Sequence, residues 1–310
     1  MKKYLLLILI LHYSASLFAQ QLAQYNLYHF NLDLINPAAT GYLPCKTFNI
    51  TDRHQWTGIE GAPSIQSLSI QLPKEFHKYR KYGLGLNLVR DVNGAIQNLG
   101  GELLYAFHLT LGGTKTNHLS FGLSGKFGQY SFDEREFTQG LYDPIVGRTL
   151  NTEWYYNFSS GVFLYSEDYF TGIAVYNLVP RTTNYYSNYG NEPYFITFIG
   201  GYNFQPRRNN FLLTSSIYLA KGSDFYQIDL NNHFYFNNGL WTGITLRKYF
   251  GNFYQSGQNV LLFIGYKLDK WNFAYTYDIG INNLQRNHFG SHQISITFTL
   301  CSKKYACPTY

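Results

Sequence analysis

Charge is scarce in this chain, with 14% Asp, Glu, Lys and Arg in 310 residues, and there is a single Met. Without Lys2 and Lys3 the formal charge falls from +6 to +4, which points to neither a nucleic-acid partner nor a strongly anionic one. After an N-terminal apolar stretch, no run approaches the roughly 18 consecutive apolar residues of a spanning helix, so membrane passage by helices is excluded. No helical stripe, linker, repeat or low-complexity segment divides the sequence, which therefore reads as one domain. The three cysteines, Cys45, Cys301 and Cys307, match no zinc spacing. What is abundant is aromatic: 30 Tyr and 25 Phe, far above an ordinary soluble domain and suited to the aromatic girdles of a membrane-embedded barrel.

The start of the chain reads as an export signal. Met1-Lys2-Lys3, the apolar stretch Tyr4 to Leu11 and the exit Ser14 to Gln20 give a cut after Ala19, with no Cys there to carry a lipid anchor. Behind it, period-two alternation dominates. In the final run Ile294, Ile296, Phe298 and Leu300 alternate with Gln293, Ser295, Thr297 and Thr299, which places apolar side chains on one face of a strand and polar ones on the other. Such runs recur at 46–53, 63–72, 81–90, 97–110, 117–129, 152–165, 168–178, 193–204, 209–220, 224–236, 239–249, 258–268, 270–279 and 291–301. The expected fold is all-β, a transmembrane antiparallel barrel of about fourteen strands. A soluble β-sandwich rarely sustains so many long alternating runs. Mean hydropathy of −0.23 fits, because only every second barrel residue meets lipid.

The implied organisation is a signal peptide over 1–19, a periplasmic N-terminal segment over 20–45 serving as lead-in or plug, a barrel over 46–301 and a periplasmic tail over 302–310. Loop parity supports it. The connections at 166–167, 205–208, 237–238 and 269 are short, as periplasmic turns are, while 130–151, 179–192, 250–257 and 280–290 are the longer external kind. The short external link at 221–223 and the basic periplasmic link from Pro73 to Arg80 depart from that pattern. Leu84, Leu86, Leu88, Leu103, Tyr105, Leu262, Ile264, Phe273 and Tyr275 are expected to face lipid. Glu102, His108, Lys126, Glu153, Asn157, Asp229, Asn231, His233, Arg247 and Asp278 are expected in the lumen.

No catalytic constellation emerges. His108, His233 and His292 sit in strands with polar inward faces and read as hydrogen-bonded lumen residues. The lumen charges read as satisfying one another or as a weak ion-selectivity lining. The loop Asp133-Glu134-Arg135-Glu136 with Asp143 lacks the alternation of a calcium loop. No cofactor or metal is expected. Pairing Cys301 with Cys307 across a short loop, with Cys45 free, is the simplest disulfide. The external loop from Thr182 to Gly190 is uncharged and rich in Tyr, and Tyr185, Tyr186 and Tyr189 suit binding of protein or glycan.

Two segments are unlike ordinary strand or turn text: Asn31 to Gly41, containing Asn36-Pro37-Ala38-Ala39-Thr40-Gly41, and Arg53 to Ser67. In the second, Gly58, Gly61 and Pro63 shape a tight hairpin tip, Trp56 offers an amphipathic surface and Arg53 a fixed charge. That tip either seals the barrel end or docks a partner. Asn36-Pro37 reads as a rigid turn or a periplasmic contact. Together these segments resemble the PorP/SprF family of Bacteroidota, outer-membrane proteins of type IX secretion and gliding, with its Asn-Pro-Ala-x-x-Gly and Arg-x-Gln-Trp-x-Gly-x-x-Gly-Ala-Pro-x-x-Gln-Ser patterns. The resemblance extends over the whole mature chain. It implies a non-enzymatic outer-membrane barrel that binds periplasmic ring components, lipoproteins and a peptidoglycan-binding protein, or the C-terminal sorting domain of a large secreted protein. Asn36, Pro37, Arg53, Gln55, Trp56, Gly58, Gly61, Ala62, Pro63 and Gln66 are then the motif positions expected to bind partners, with membrane lipid around the barrel. A small-solute porin is the alternative, and a lipid-modifying barrel enzyme a third reading.

Overall fold

The structure, a computed structural model, describes residues 26–77, 80–112, 117–133, 150–179, 194–205, 211–222, 225–251, 257–281 and 288–301. The signal peptide, Tyr185, Tyr186, Tyr189, the acidic loop beyond Asp133, and the tail with Cys307 lie outside these residues.

Fourteen strands close into one antiparallel barrel. They are β1 (Cys45–His54), β2 (Ser64–His77), β3 (Arg80–Asn93), β4 (Ile96–Leu111), β5 (Asn117–Asp133), β6 (Leu150–Tyr165) and β7 (Tyr169–Tyr176). The second half comprises β8 (Phe195–Phe204), β9 (Phe211–Lys221), β10 (Phe225–Phe236), β11 (Leu240–Gly251), β12 (Gln258–Leu268), β13 (Trp271–Gly280) and β14 (Ser291–Cys301). Every strand pairs with its chain neighbours, and β14 returns to β1 with Ile50 opposite Ile296. Closure leaves no unpaired edge, which is the condition for backbone to cross hydrocarbon.

The alternation sorts the side chains inside out. Leu103, Leu123 and Ile294 are exposed on the outer wall, while Asn49, His108, Asn231, His233, Thr276 and Gln293 are buried on the inner one. Trp271 packs on Phe298 at 4.6 Å near the end with short turns, and Trp154 stacks on Phe127 at 5.2 Å towards the end with long loops. Those are the two positions that aromatic girdles occupy. The segment expected as a basic link is largely strand. β2 continues through Pro73, paired with Gly83, to His77, with the register shift falling between Glu75 and His77. Leu72 and Lys74 continue the alternation across Pro73, so the hairpin narrows to residues 78–79 between the two strands.

The disulfide also differs from the expected one: Cys45 bonds Cys301. These residues are register partners at the closing seam, 4.3 Å apart at Cα, so closure itself brings them together across 256 residues of sequence. Non-reducing peptide mapping of protein recovered from cells should find the Cys45 and Cys301 peptides joined. A Cys301 to Cys307 linkage would contradict the register at this seam. With ten paired residues holding β1 to β14, Cys45→Ser should still close but unfold at lower temperature, its stability reduced by on the order of a few kcal/mol.

Candidate functional site

Residues 26–44 lie inside the barrel. They form three short 3-10 turns, Tyr28–Phe30, Leu32–Leu34 and Pro37–Ala39. Asn36 starts the third turn as its cap, its Oδ1 accepting from Ala38 N, and Pro37 takes the first position, where no N–H is needed. The wall opposite is built from glycine. A Cβ on Gly83 would run into the Thr40 carbonyl, one on Gly122 into the Ala38 backbone and one on Gly161 into Asn36 Oδ1. Plug and wall backbones therefore meet where no other residue would fit.

Wall side chains bind the plug through its main chain. Thr197 Oγ1 donates to Ile35 O at 2.7 Å, Ser120 Oγ to Ala38 O, His108 Nε2 to Thr40 O at 2.9 Å and Lys81 Nζ to Tyr42 O at 2.7 Å. Gln71 Oε1 accepts from Gly41 N at 3.0 Å. With Nε2 carrying the proton towards Thr40, His108 Nδ1 accepts from Tyr165 Oη at 3.1 Å, so this histidine is a satisfied wall residue. Asp33, which belongs to the plug and to no strand, accepts from Ser69 Oγ and Gln71 Nε2.

Two apolar clusters join plug and wall. Tyr28, Leu32, Ile35, Ala38 and Ala39 pack with Phe163, Tyr165, Ile199 and Tyr218, and Leu27 with Tyr235, Trp241, Leu261 and Phe263. Towards the long-loop end a charge network holds Asn26. Arg247 forks onto Asp229 with two bonds of 2.8 Å, and its Nη1 donates to Asn26 Oδ1 at 2.7 Å. Asp278 accepts from Asn26 Nδ2 at 3.5 Å, Arg53 Nη2 at 3.4 Å and Asn259 Nδ2 at 2.6 Å. Asp229 and Arg247, both expected in the lumen, thus face each other, and removing one member of this fully buried pair would cost about 3–5 kcal/mol.

The second motif divides between the lumen and the rim. Arg53, Gln55 and Pro63 are buried, as are Asn36 and Pro37 in the plug, so these five present no surface to a partner. Gln66 is on the outer wall, donating to Asp52 and accepting from Arg90. The tip between β1 and β2 is a cap at the long-loop end, with Trp56 at φ 44° and Gly58 at φ 100°. Thr57 exchanges main-chain bonds of 2.9 Å with Gly290 and Phe289, and Gly94 N donates to Gly61 O at 3.0 Å. Gly58, Gly61 and Ala62 are at the surface of this cap, Trp56 is half-buried near His288 at 6.3 Å, and Phe289 is 77% exposed.

A closed cylinder with an apolar outer wall and a lumen filled by its own N-terminal segment defines a plugged transmembrane β-barrel. The family model described as "Type IX secretion system membrane protein PorP/SprF" matches residues 17–298, and the chain belongs to that family of secretion-system membrane proteins. Fold and family together support an outer-membrane location. Among solved structures, the CymD monoaromatic hydrocarbon channel is similar at TM-score 0.53 and 9% identity, covering 87% of this chain and 92% of that one. The TodX monoaromatic hydrocarbon channel deltaS2 mutant gives 0.49 at 10% identity, over 85% and 91%. A Pseudomonas aeruginosa FadL homologue gives 0.48 at 9%, over 86% and 92%. At these identities the likeness extends to the barrel fold alone. No curated protein sequence matches the chain.

Two variants on β5 separate plug seating from barrel integrity. Gly122→Val, on the inner face, should leave a heat-modifiable barrel whose Tyr28 and Phe30 become sensitive to chymotrypsin, with its transition about 10 °C lower or more. Gly125→Ala, whose added methyl would meet only Phe158 at ordinary contact distance of 3.7 Å, should behave as the natural protein.

Proposed function

We propose that this protein is a docking barrel of the type IX secretion system that binds at its two ends and does not carry cargo through its lumen. The observation behind this reading is the filled interior. A fourteen-stranded barrel is already too narrow for a folded protein, and here residues 26–44 occupy the space that remains. At the long-loop end, the rim formed by Trp56, Gly58, Gly61 and Ala62 with exposed Phe289 offers apolar surface on a cap braced from both sides. With the Tyr-rich loop of Tyr185, Tyr186 and Tyr189, this end holds the C-terminal sorting domain of a large secreted surface protein. The short-turn end faces the periplasmic ring, its lipoproteins and the peptidoglycan-binding component. Binding is the mechanism, with no reaction.

The porin reading requires an open lumen, and the plug weighs against it. A photo-crosslinking residue at exposed Glu60, in a copy tagged at Tyr310 and irradiated in intact cells, tests the outer contact. A covalent product containing a type IX sorting domain is expected, reduced at least ten-fold by Trp56→Ala with Phe289→Ala at unchanged outer-membrane level. Equal crosslinking in that variant, or none in the natural protein, would overturn the outer docking site.

A further inference from the structure

The barrel has one weak seam, and the plug bridges it. β7 is 8 residues long, between β6 of 16 and β8 of 10. Its register with β6 runs over six pairs, from Ser160 opposite Val175 to Tyr165 opposite Phe170. Every other seam has at least eight, as at β7–β8 and β13–β14, and β4–β5 reaches sixteen. Beyond Ser160 one main-chain bond remains, from Leu178 N to Phe158 O at 2.9 Å, and side-chain bonds supply the rest: Asn157 Oδ1 accepts from Phe158 N at 2.8 Å and Val179 N at 3.2 Å, and its Nδ2 donates to Val179 O at 3.1 Å.

Within the six pairs, rings from Phe163, Tyr165 and Phe170 line the lumen side towards the short turn, and the remainder carries little. Gly161 faces Ala174 and Phe163 faces Gly172, so two of the inner positions have no side chain. Asn36 fills the gap. Its Nδ2 donates to Val162 O at 3.0 Å and to Ile173 O at 3.4 Å, and these two residues are register partners across the seam. Its Oδ1 meanwhile caps the plug turn at Ala38 N. A Cβ on Gly161 or Gly172 would collide with this amide, so both strands are shaped around it. One side chain therefore ties β6, β7 and the plug together.

We propose that β6–β7 is a lateral seam and that the plug is its latch. With Asn36 seated, the seam is lined and closed. When the N-terminal segment is drawn out of the lumen, both amide hydrogen bonds and the inner lining leave with it, and β6 and β7 part before any other pair of strands. The parted seam presents two strand edges, the chemistry that an extended polypeptide strand recognises. The latch does not depend on which partners the barrel ends hold.

Hydrogen exchange of the full chain in lipid nanodiscs tests it. Asn36→Ser keeps a capping oxygen for Ala38 N and removes both donors to the seam. Peptides covering Tyr169–Tyr176 should then exchange at least ten-fold faster than in the natural protein, with those covering Trp271–Gly280 unchanged. Ser120→Ala, which frees the plug only from β5, should change Tyr169–Tyr176 less than three-fold. Natural exchange in Asn36→Ser, uniform acceleration of all strands, or an equal effect of Ser120→Ala would each overturn the latch. If Asn36→Ser gives no heat-modifiable band, it is combined with Ser160→Cys and Val175→Cys across the seam. Folding when oxidised with opening on reduction supports the latch, and failure to fold even when locked assigns Asn36 to barrel assembly instead.

Discussion

The contact on which the structure depends is the seating of Asn36 to Gly41 against the glycine-bearing wall of β3, β5 and β6. A closed strand cylinder satisfies its own backbone in lipid, but it leaves an interior whose polar groups still need partners. Here the partner is a stretch of main chain. Ile35, Ala38, Thr40 and Tyr42 offer their carbonyls to Thr197, Ser120, His108 and Lys81, and the glycines let the two backbones approach closely enough for those bonds to form. Recognition through backbone fixes the path of the plug. Asn36, Pro37 and Gly41 then supply the special geometry at its ends: a cap, a preset φ and a left-handed turn at φ 70°.

The plug also reaches the long-loop end of the barrel. Asn26, at the other end of the described plug, shares Asp278 with Arg53 of the rim hairpin and is held by Arg247. The start of the plug and the second motif thus meet through one buried carboxylate, although Asn26 and Arg53 lie 252 and 225 residues from Asp278 in sequence. Charges buried at this depth are costly unless paired. The pairing of Arg247 with Asp229 and of Arg53 with Asp278 explains how a lumen so poor in solvent tolerates them.

Lipid imposes a strict period of two, and for that reason the wall was readable from sequence. All fourteen runs became strands, with Leu103, Ile264 and Phe273 outside and His108, Asn231 and Asp278 inside. The interior was harder to read, because what touches an inward residue depends on contacts remote in sequence. Two signals were nonetheless present. Val162-Phe163-Leu164-Tyr165 and Leu261-Leu262-Phe263-Ile264 break the alternation by being apolar on both faces, and Phe163, Tyr165, Leu261 and Phe263 pack the plug and its surroundings. Gly83, Gly122 and Gly161 fall at inward positions of strands where small residues have no local reason. The Cys45–Cys301 bond needed the closing register, which no local spacing encodes. The Arg53 motif looked like a surface because Arg and Trp together suit interfaces, yet the same alternation that governs the wall turns Arg53 inward and leaves only the tip outside.

In the proposed reading the working surfaces of this protein lie at its rims, with the cylinder serving as a rigid support in the membrane. Conductance across a planar bilayer measures the state of the lumen directly. The purified full chain should insert without producing steady ion current, whereas a variant lacking residues 26–44 should conduct if it folds. A stable open current from the natural protein would contradict a barrel sealed by its own N-terminal segment.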